Sequence, residues 1–267
     1  MTNNLLNLKP KLSRSKSSIY VNIDNIKVAQ VEYKEGPVGL TYIDFGKKGA
    51  KCYMDVRGGW PAYINALSTN HKQHIDGINI SGGSILGLES TTGIITESLR
   101  NSKYKFWKSV NGSIIYSHNL IRNKIYPDKN LGSFVFNNLD TKLYNGQSGA
   151  GLSAAKGQGW EVKNYKNGIK ILALVVNNAI GDIYKNNKKI NSDNIDFSKL
   201  KLGTKTTITV LITNLQLDND ELKQMAHQVN SSMAKIIRPF NTFYDGDVFY
   251  SCSTETKKNQ KNLEVVN

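Results

Sequence analysis

Short runs of apolar and β-branched residues recur along the chain, and turns rich in glycine and asparagine separate them. Residues 18–33, "SIYVNIDNIKVAQVEY", alternate in part between polar and apolar positions, as do "VGLTYIDF" (38–45) and "AKCYMDV" (50–56). This pattern predicts β-strands. The run "GIKILALVV" (168–176) is apolar almost throughout and predicts a buried strand. Residues 1–17 are polar and basic, which predicts a loose N-terminal arm.

Two stretches predict helices. In the first, a short apolar strand ends at Ser81-Gly82-Gly83 and a helix rich in small residues follows, whose first N–H groups could bind a ligand. In the second, Asp218 or Asn219 can cap an amphipathic helix that Pro239 ends. Its apolar residues at helical spacing are Leu222, Met225, Ala226, Val229, Met233 and Ile236. Because strands and helices are mixed, with several consecutive strands, we expect one layered α/β domain over residues 1–267.

Composition narrows the function classes. With 39% hydrophobic and 21% charged residues, the chain has the profile of a soluble globular protein. Its formal net charge of +14 comes mostly from lysines spread in ones and twos, so we expect no specific nucleic-acid partner. The N-terminus lacks the apolar core of a signal peptide, and no apolar run approaches the ~20 residues of a membrane span. These features predict a cytoplasmic protein without membrane contact.

Several kinds of chemistry have no support in the sequence. No serine lies in a G-x-S-x-G elbow, and the turn "SGGS" lacks the lysine of a phosphate loop. The two cysteines are too few for a disulfide scaffold and have no zinc spacing. The four histidines, at 71, 74, 118 and 227, have no convincing metal spacing either. We therefore predict no metal and no organic cofactor.

One candidate nucleophile stands out in "LKLGTKTTITVLITNLQL" (200–217), where a lysine-rich loop leads into Thr206-Thr207 and a β-branched run. A threonine hydroxyl can act as nucleophile when the α-amine of the same residue is free, because that amine is a base with a pKa of roughly 7.7–8.0. An internal threonine gains this amine only if the chain is cut before it. The alternative is an ordinary β-strand, and this segment alone favours that alternative.

Seven stretches, in this order, carry a wider pattern: "DVRGGWPA" (55–62), "INISGGSILGLESTTGI" (78–94), "NGSIIYSHNL" (111–120), "GQSGAGLSAAKGQG" (146–159), "LALVVNNAIGD" (172–182), "TTITVLITNLQLDNDEL" (206–222) and "RPFNTFYDGDVFYSCST" (238–254). Together they resemble the DmpA-type aminopeptidase and nylon-oligomer hydrolase (NylC) family of self-processing N-terminal-nucleophile hydrolases. The resemblance implies an α-β-β-α sandwich and scission between Lys205 and Thr206 into chains of residues 1–205 and 206–267. It also implies a homo-oligomer of such processed heterodimers.

The same resemblance implies roles for individual side chains. Thr206 is the implied nucleophile, and Lys156 corresponds to the family's active-site lysine, which could hold the nucleophile's hydroxyl. Asn178 would donate to a developing oxyanion. The paired Asp245 and Asp247 would orient the Thr206 ammonium and tune its pKa.

The remaining implications concern the substrate. Tyr116 is expected to line the site, and Trp60 occupies a normally small position and could narrow a pocket. A small peptide or a linear oligoamide resembling 6-aminohexanoate oligomers is the expected substrate. Two alternatives stay open. Lys205 replaces a usually small or amide residue before the cut, which leaves room for an uncleaved, non-catalytic binding protein on the same fold. The similarly folded ornithine acetyltransferases suggest the other, an amine acyltransferase in which an amine replaces water. The chain also ends soon after "SCST", so we expect different C-terminal packing from the family's.

Overall fold

The computed structural model describes residue 3 and residues 7–66, 74–116, 124–190 and 205–258. Two six-stranded sheets dominate these residues. In spatial order, the first sheet contains β1 (Pro10–Leu12), β3 (Lys27–Tyr33), β4 (Gly39–Asp44), β8 (Gly77–Ser81), β9 (Val110–Ile114) and β6 (Tyr63–Ile64). The second contains β11 (Gln158–Asn164), β12 (Lys170–Asn178), β15 (Thr206–Leu215), β17 (Val248–Lys257), β5 (Ala50–Val56) and β7 (His74–Ile75).

Smaller elements complete the described part of the chain. A two-stranded sheet joins β2 (Ser18–Tyr20) to β10 (Lys142–Tyr144), and a three-stranded one joins β14 (Lys188–Lys189), β13 (Asp182–Lys185) and β16 (Ile237–Arg238). The α-helices are α1 (Glu89–Asn101), α2 (Lys129–Phe136) and α3 (Asn219–Ile236). Within the described ranges, no helix has the length and apolarity needed to cross a bilayer.

Three apolar clusters show how the layers pack. Ile94 of α1 and Leu131 of α2 pack with Leu40 on the outer face of the first sheet. Side chains of both sheets meet in a central core, which includes Ile43, Ile80, Leu174, Val210 and Tyr250. Residues of α3 cover the outer face of the second sheet, where Leu222 and Met225 join Leu211 and Phe249. The predicted α-β-β-α sandwich is therefore confirmed.

Strand β15 lies inside the second sheet, antiparallel to β12 and parallel to β17. All ten of its residues are buried, since the central core covers one face and α3 the other. In the register, Thr206 lies opposite Asn178, and Lys205 forms an isolated bridge with Asp245. The start of β15 is thus fixed between the end of β12 and the turn that precedes β17.

Helix α3 begins as predicted, because Asp218 and Glu221 form a reciprocal capping box. Leu222, Met225 and Ala226 are buried, in agreement with the helical spacing. The last turn differs, since Ile236, predicted on the apolar face, is 47% exposed. There the chain leaves the sheet and continues into β16. A polar residue that the apolar pattern did not predict, Asn230, is buried on this helix.

Part of the predicted loose arm is held in place. Residues 10–12 pair antiparallel with β3, and Asn3 donates to the Asp128 carboxylate at 2.8 Å. This pairing covers the edge of β3, whose backbone groups would otherwise lack strand partners. The strand, turn and helix predicted around Ser81-Gly82-Gly83 are present, but Ser84 N–H donates to the Ile115 carbonyl and is not available to a ligand.

Candidate active site

The Thr206 hydroxyl lies at the point where four segments of the chain meet. The residue is fully buried, and its Oγ1 donates to the carbonyl oxygen of Lys205 at 2.6 Å. The backbone N–H of Tyr116 donates to the same Oγ1 at 3.3 Å. The hydroxyl that the sequence singles out is therefore beside the carbonyl of the peptide bond that it would attack.

A second donor binds the Lys205 carbonyl. The backbone N–H of Gly246 donates to this oxygen at 2.9 Å. Addition of a nucleophile to the Lys205 carbonyl carbon would place negative charge on this oxygen. A preorganised N–H at that position stabilises such charge without reorganisation during the reaction.

The two aspartates on either side of Gly246 are buried, at 0% exposure for Asp245 and 3% for Asp247. The Asp247 carboxylate accepts from the N–H of Thr207 at 2.5 Å and of Asn241 at 3.2 Å. Burial, followed by repulsion from Asp245, raises the pKa of Asp247 to about 8. Burial therefore favours the protonated form of Asp247, and the two acids titrate as a coupled pair.

Asp245 has a different set of partners. Its carboxylate accepts from the hydroxyl of Thr242 at 2.6 Å and from the backbone N–H of Ile180 at 3.2 Å. Burial raises the pKa of Asp245, and these hydrogen bonds oppose the rise. Because the two environments differ, one carboxyl group can hold a proton while the other stays ionised.

Asn178 lies opposite Thr206 in the strand register and is linked to its hydroxyl through Tyr116. Its Nδ2 donates to the Tyr116 carbonyl at 2.5 Å, and its Oδ1 accepts from Ala155 N–H at 3.0 Å. Asn178 therefore orients the residue whose N–H contacts the Thr206 hydroxyl. Its direct contact with an oxyanion remains a prediction.

Lys156 reaches the site from the glycine-rich segment after β10. Its ammonium donates to the carbonyls of Ala179 at 3.1 Å and Gly181 at 2.8 Å. Between these two residues lies Ile180, whose N–H donates to Asp245. Lys156 thus fixes the peptide that supports one of the paired acids, while its predicted contact with the Thr206 hydroxyl stays a prediction.

Trp60 lies at the edge of the site, at the end of a tight turn formed by residues 57–60. Its N–H donates to the Asp245 carbonyl at 2.9 Å, while the residue is 43% exposed. The Tyr116 ring and the Trp60 carbonyl both border Gly246, where an added Cβ would lie 3.0 Å and 2.8 Å from them. The two residues predicted to line a pocket therefore both lie against the turn between the acids.

Sequence reasoning did not find the backbone donors of the site, which belong to Tyr116, Ile180 and Gly246. Every residue except proline carries an N–H, so these positions have no side-chain signal. Among the histidines, His74 pairs with Glu255, and His71 and His118 lie outside the described residues. In the described ranges no group of three or more histidine, cysteine, aspartate or glutamate side chains could hold a metal ion.

Comparisons with known proteins bear on the family to which the chain is similar. Residues 136–267 match the model of Peptidase family S58. A 6-aminohexanoate-oligomer endohydrolase of Kocuria sp. (strain KY2) is 27% identical over 95% of this chain and 79% of its own length. A putative NylC-analogous protein of Agromyces sp. (strain KY5R) is 28% identical over 86% of this chain and 85% of its own length.

Solved structures share the fold. The L-aminopeptidase D-Ala-esterase/amidase of Ochrobactrum anthropi, described as a variant of the Ntn hydrolase fold, superposes with a TM-score of 0.69 at 17% identity. The match covers 95% of this chain and 78% of that one. A β-aminopeptidase of Burkholderia sp. gives a TM-score of 0.67 at 13% identity, with the same two coverages. The family resemblance inferred from the seven stretches is therefore confirmed.

Proposed function

We propose, on the premise that this chain is an amide hydrolase of the DmpA-type aminopeptidase and nylon-oligomer hydrolase family, that it cuts itself before Thr206 and then uses Thr206 as its nucleophile. The observation that supports this most strongly is the contact between the Thr206 hydroxyl and the Lys205 carbonyl oxygen at 2.6 Å. The Gly246 N–H bound to the same oxygen supports it further.

Self-cleavage proceeds as an N-to-O acyl shift. Thr206 Oγ1 forms a bond to the Lys205 carbonyl carbon, and the charge on the carbonyl oxygen is stabilised by Gly246 N–H. The bond between that carbon and the Thr206 nitrogen then breaks, and the nitrogen takes up the proton that the hydroxyl has lost. Asp247, whose pKa burial and Asp245 raise to about 8, is the group we propose to carry this proton. Water hydrolyses the resulting ester to a Lys205 carboxylate and a free Thr206 amine.

Turnover of an external amide repeats the same chemistry. The free Thr206 amine accepts the proton of its own hydroxyl, which attacks the substrate carbonyl and forms a threonyl ester that water hydrolyses. Asp247 accepts from the neighbouring Thr207 N–H, so the protonated amine would lie near the paired acids, and its positive charge would favour their ionised forms. Asn178 keeps the Tyr116 peptide in place for the hydroxyl in both reactions.

We propose a small peptide or a linear oligoamide as substrate, since relatives at 27% identity are named 6-aminohexanoate-oligomer endohydrolases. The exposed indole of Trp60 offers an apolar surface beside the site.

The two chains would stay together after the cut, because β15 remains paired with β12, and β17 with β5. Association of these units into homo-oligomers is a further expectation, which light scattering would test.

The experiment is a denaturing gel of the purified protein with mass spectrometry of the chain ends. We expect two bands of about 23 and 7 kDa, the shares of the 29.7 kDa chain carried by residues 1–205 and 206–267, with Thr206 as the new N-terminus. Thr206→Ala should stay whole and hydrolyse no amide, whereas Thr206→Ser keeps a hydroxyl and should still cut. A wild-type chain that stays whole overturns the proposal in favour of an uncleaved binding protein. Amide products formed with an added amine would indicate acyl transfer.

A further inference from the structure

A buried polar cluster lies behind the acid pair and includes no atom of the proposed reaction. Asp55, at the end of β5, accepts from Arg57 Nε at 2.8 Å and from Asn230 Nδ2 at 3.0 Å, and both bonds reach its Oδ2. Asp55 is 8% exposed and Asn230 is 7% exposed. Asn230 comes from α3, which belongs to the segment after the proposed cut, whereas Asp55 and Arg57 precede the cut.

The residues that follow Asp55 bind the turn that carries the acids. The N–H groups of Arg57 and Gly58 donate to the Asp247 carbonyl at 3.1 and 3.2 Å. Trp60 N–H donates to the Asp245 carbonyl at 2.9 Å, and Gly59 N–H donates to Thr242 at 3.3 Å. We call residues 57–60 the bracket. The four consecutive N–H groups of the bracket all donate to carbonyls within residues 242–247. The position of the bracket therefore sets the position of both acids and of Gly246.

Asn230 is unexpected on chemical grounds. Its helix face otherwise buries Leu222, Met225 and Ala226, and an amide buried among such residues costs free energy unless it is hydrogen-bonded. Its side chain donates to a carboxylate, and hydrogen bonds to ionised groups are about twice as strong as neutral ones. A leucine would suffice at this position if the residue only packed the helix against the sheet. The polar side chain therefore indicates that its hydrogen bond to Asp55 has a role of its own.

We propose that Asn230 and Asp55 are positioning residues for the Asp245–Gly246–Asp247 turn and act on it through the bracket. This inference rests on the proposed function of Thr206, because the turn matters for chemistry only if Thr206 reacts. The bond between Asn230 and Asp55 fixes the direction of the Asp55 carboxylate, which holds Arg57 and so the start of the bracket. After the cut, the same bond joins the two chains beside the acids.

The test compares self-cleavage rates of freshly folded Asn230→Ala, Asn230→Asp and wild-type protein. Misplacement of reacting groups by about 1 Å can slow a reaction roughly a hundredfold. In Asn230→Ala the bracket loses one of its supports and should shift by less than that, so we expect cleavage to slow about tenfold. In Asn230→Asp a second carboxyl group faces Asp55, and repulsion between the two should slow cleavage at neutral pH. At lower pH one of these two carboxyl groups takes up a proton, so the cleavage rate of Asn230→Asp relative to wild type should recover. The melting temperature of Asn230→Asp in a Thr206→Ala background, followed over the same pH range, distinguishes this from loosened helix packing: cleavage should be slow even at pH values where the chain melts well above the assay temperature.

Leu222→Ala is the matched control, since it weakens the docking of the same helix at a fully buried position that belongs to the apolar cluster. We expect it to lower the melting temperature in a Thr206→Ala background and to leave cleavage within about twofold of wild type at temperatures well below melting. Wild-type rates in Asn230→Ala, or equal slowing in Leu222→Ala, would overturn the inference while leaving the proposed function intact. A wild-type chain that never cuts itself would overturn both.

Discussion

Gly58→Ala gives the most direct test of how closely the bracket must approach the acids. A Cβ added at Gly58 would lie 2.3 Å from the carbonyl oxygen of Asp245 and 2.3 Å from the nitrogen of Asp247. Ordinary contact begins at 3.4 Å, so the bracket and the turn must separate by about 1.1 Å. Since a misplacement of about 1 Å can cost a factor of ~100, we expect self-cleavage to slow by about two orders of magnitude. This corresponds to about 2.7 kcal/mol in the activation free energy.

The assay follows the loss of the full-length band on a denaturing gel after refolding. Gly159→Ala is the matched control, because a Cβ at that position meets nothing within 4 Å. It should cut at the wild-type rate. The melting temperature of both variants, measured with Thr206→Ala to keep the chain whole, separates misplacement from unfolding. Wild-type cleavage by Gly58→Ala would refute the argument, as would equal slowing in Gly159→Ala.

Two further predictions concern buried titratable groups. Burial and Asp245 raise the pKa of Asp247 from 3.8 to about 8, so its contribution to folding is fully present below pH 4 and is lost as the pH rises toward 8. The free energy of unfolding of a Thr206→Ala chain should therefore fall by a few kcal/mol more between pH 5 and 8 than that of the same chain carrying Asp247→Asn, and equal slopes would contradict this. Cys52 and Cys252 are 2% and 0% exposed, and burial raises the pKa of the Cys252 thiol well above its ordinary value. A thiol reagent should label neither in the folded protein and both after denaturation, whereas rapid native labelling, or no labelling after denaturation, would show this reasoning to be wrong.

Much of the architecture could be predicted from the sequence, because capping residues and apolar spacing determine where individual helices and strands form. The cap at Asp218 and the apolar spacing after it predicted helix α3, and the apolar run before Asn178 predicted β12. The exposure of Ile236 could not be predicted, because it depends on where the chain leaves the sheet. The attachment of residues 10–12 was also missed, since it depends on the open edge of β3, a strand fifteen or more residues later in the chain.

The sequence by itself determined which reactive side chains are available: a threonine at the head of a buried strand, two acids around a glycine, an asparagine at a strand end and a lysine in a glycine-rich segment. Only the tertiary structure decided how they are connected, because the connections run through backbone groups. The N–H of Gly246 on the Lys205 carbonyl, and that of Ile180 on Asp245, come from pairings between distant segments. Such donors are chemically alike at almost every residue, so the fold alone selects which of them face the candidate site.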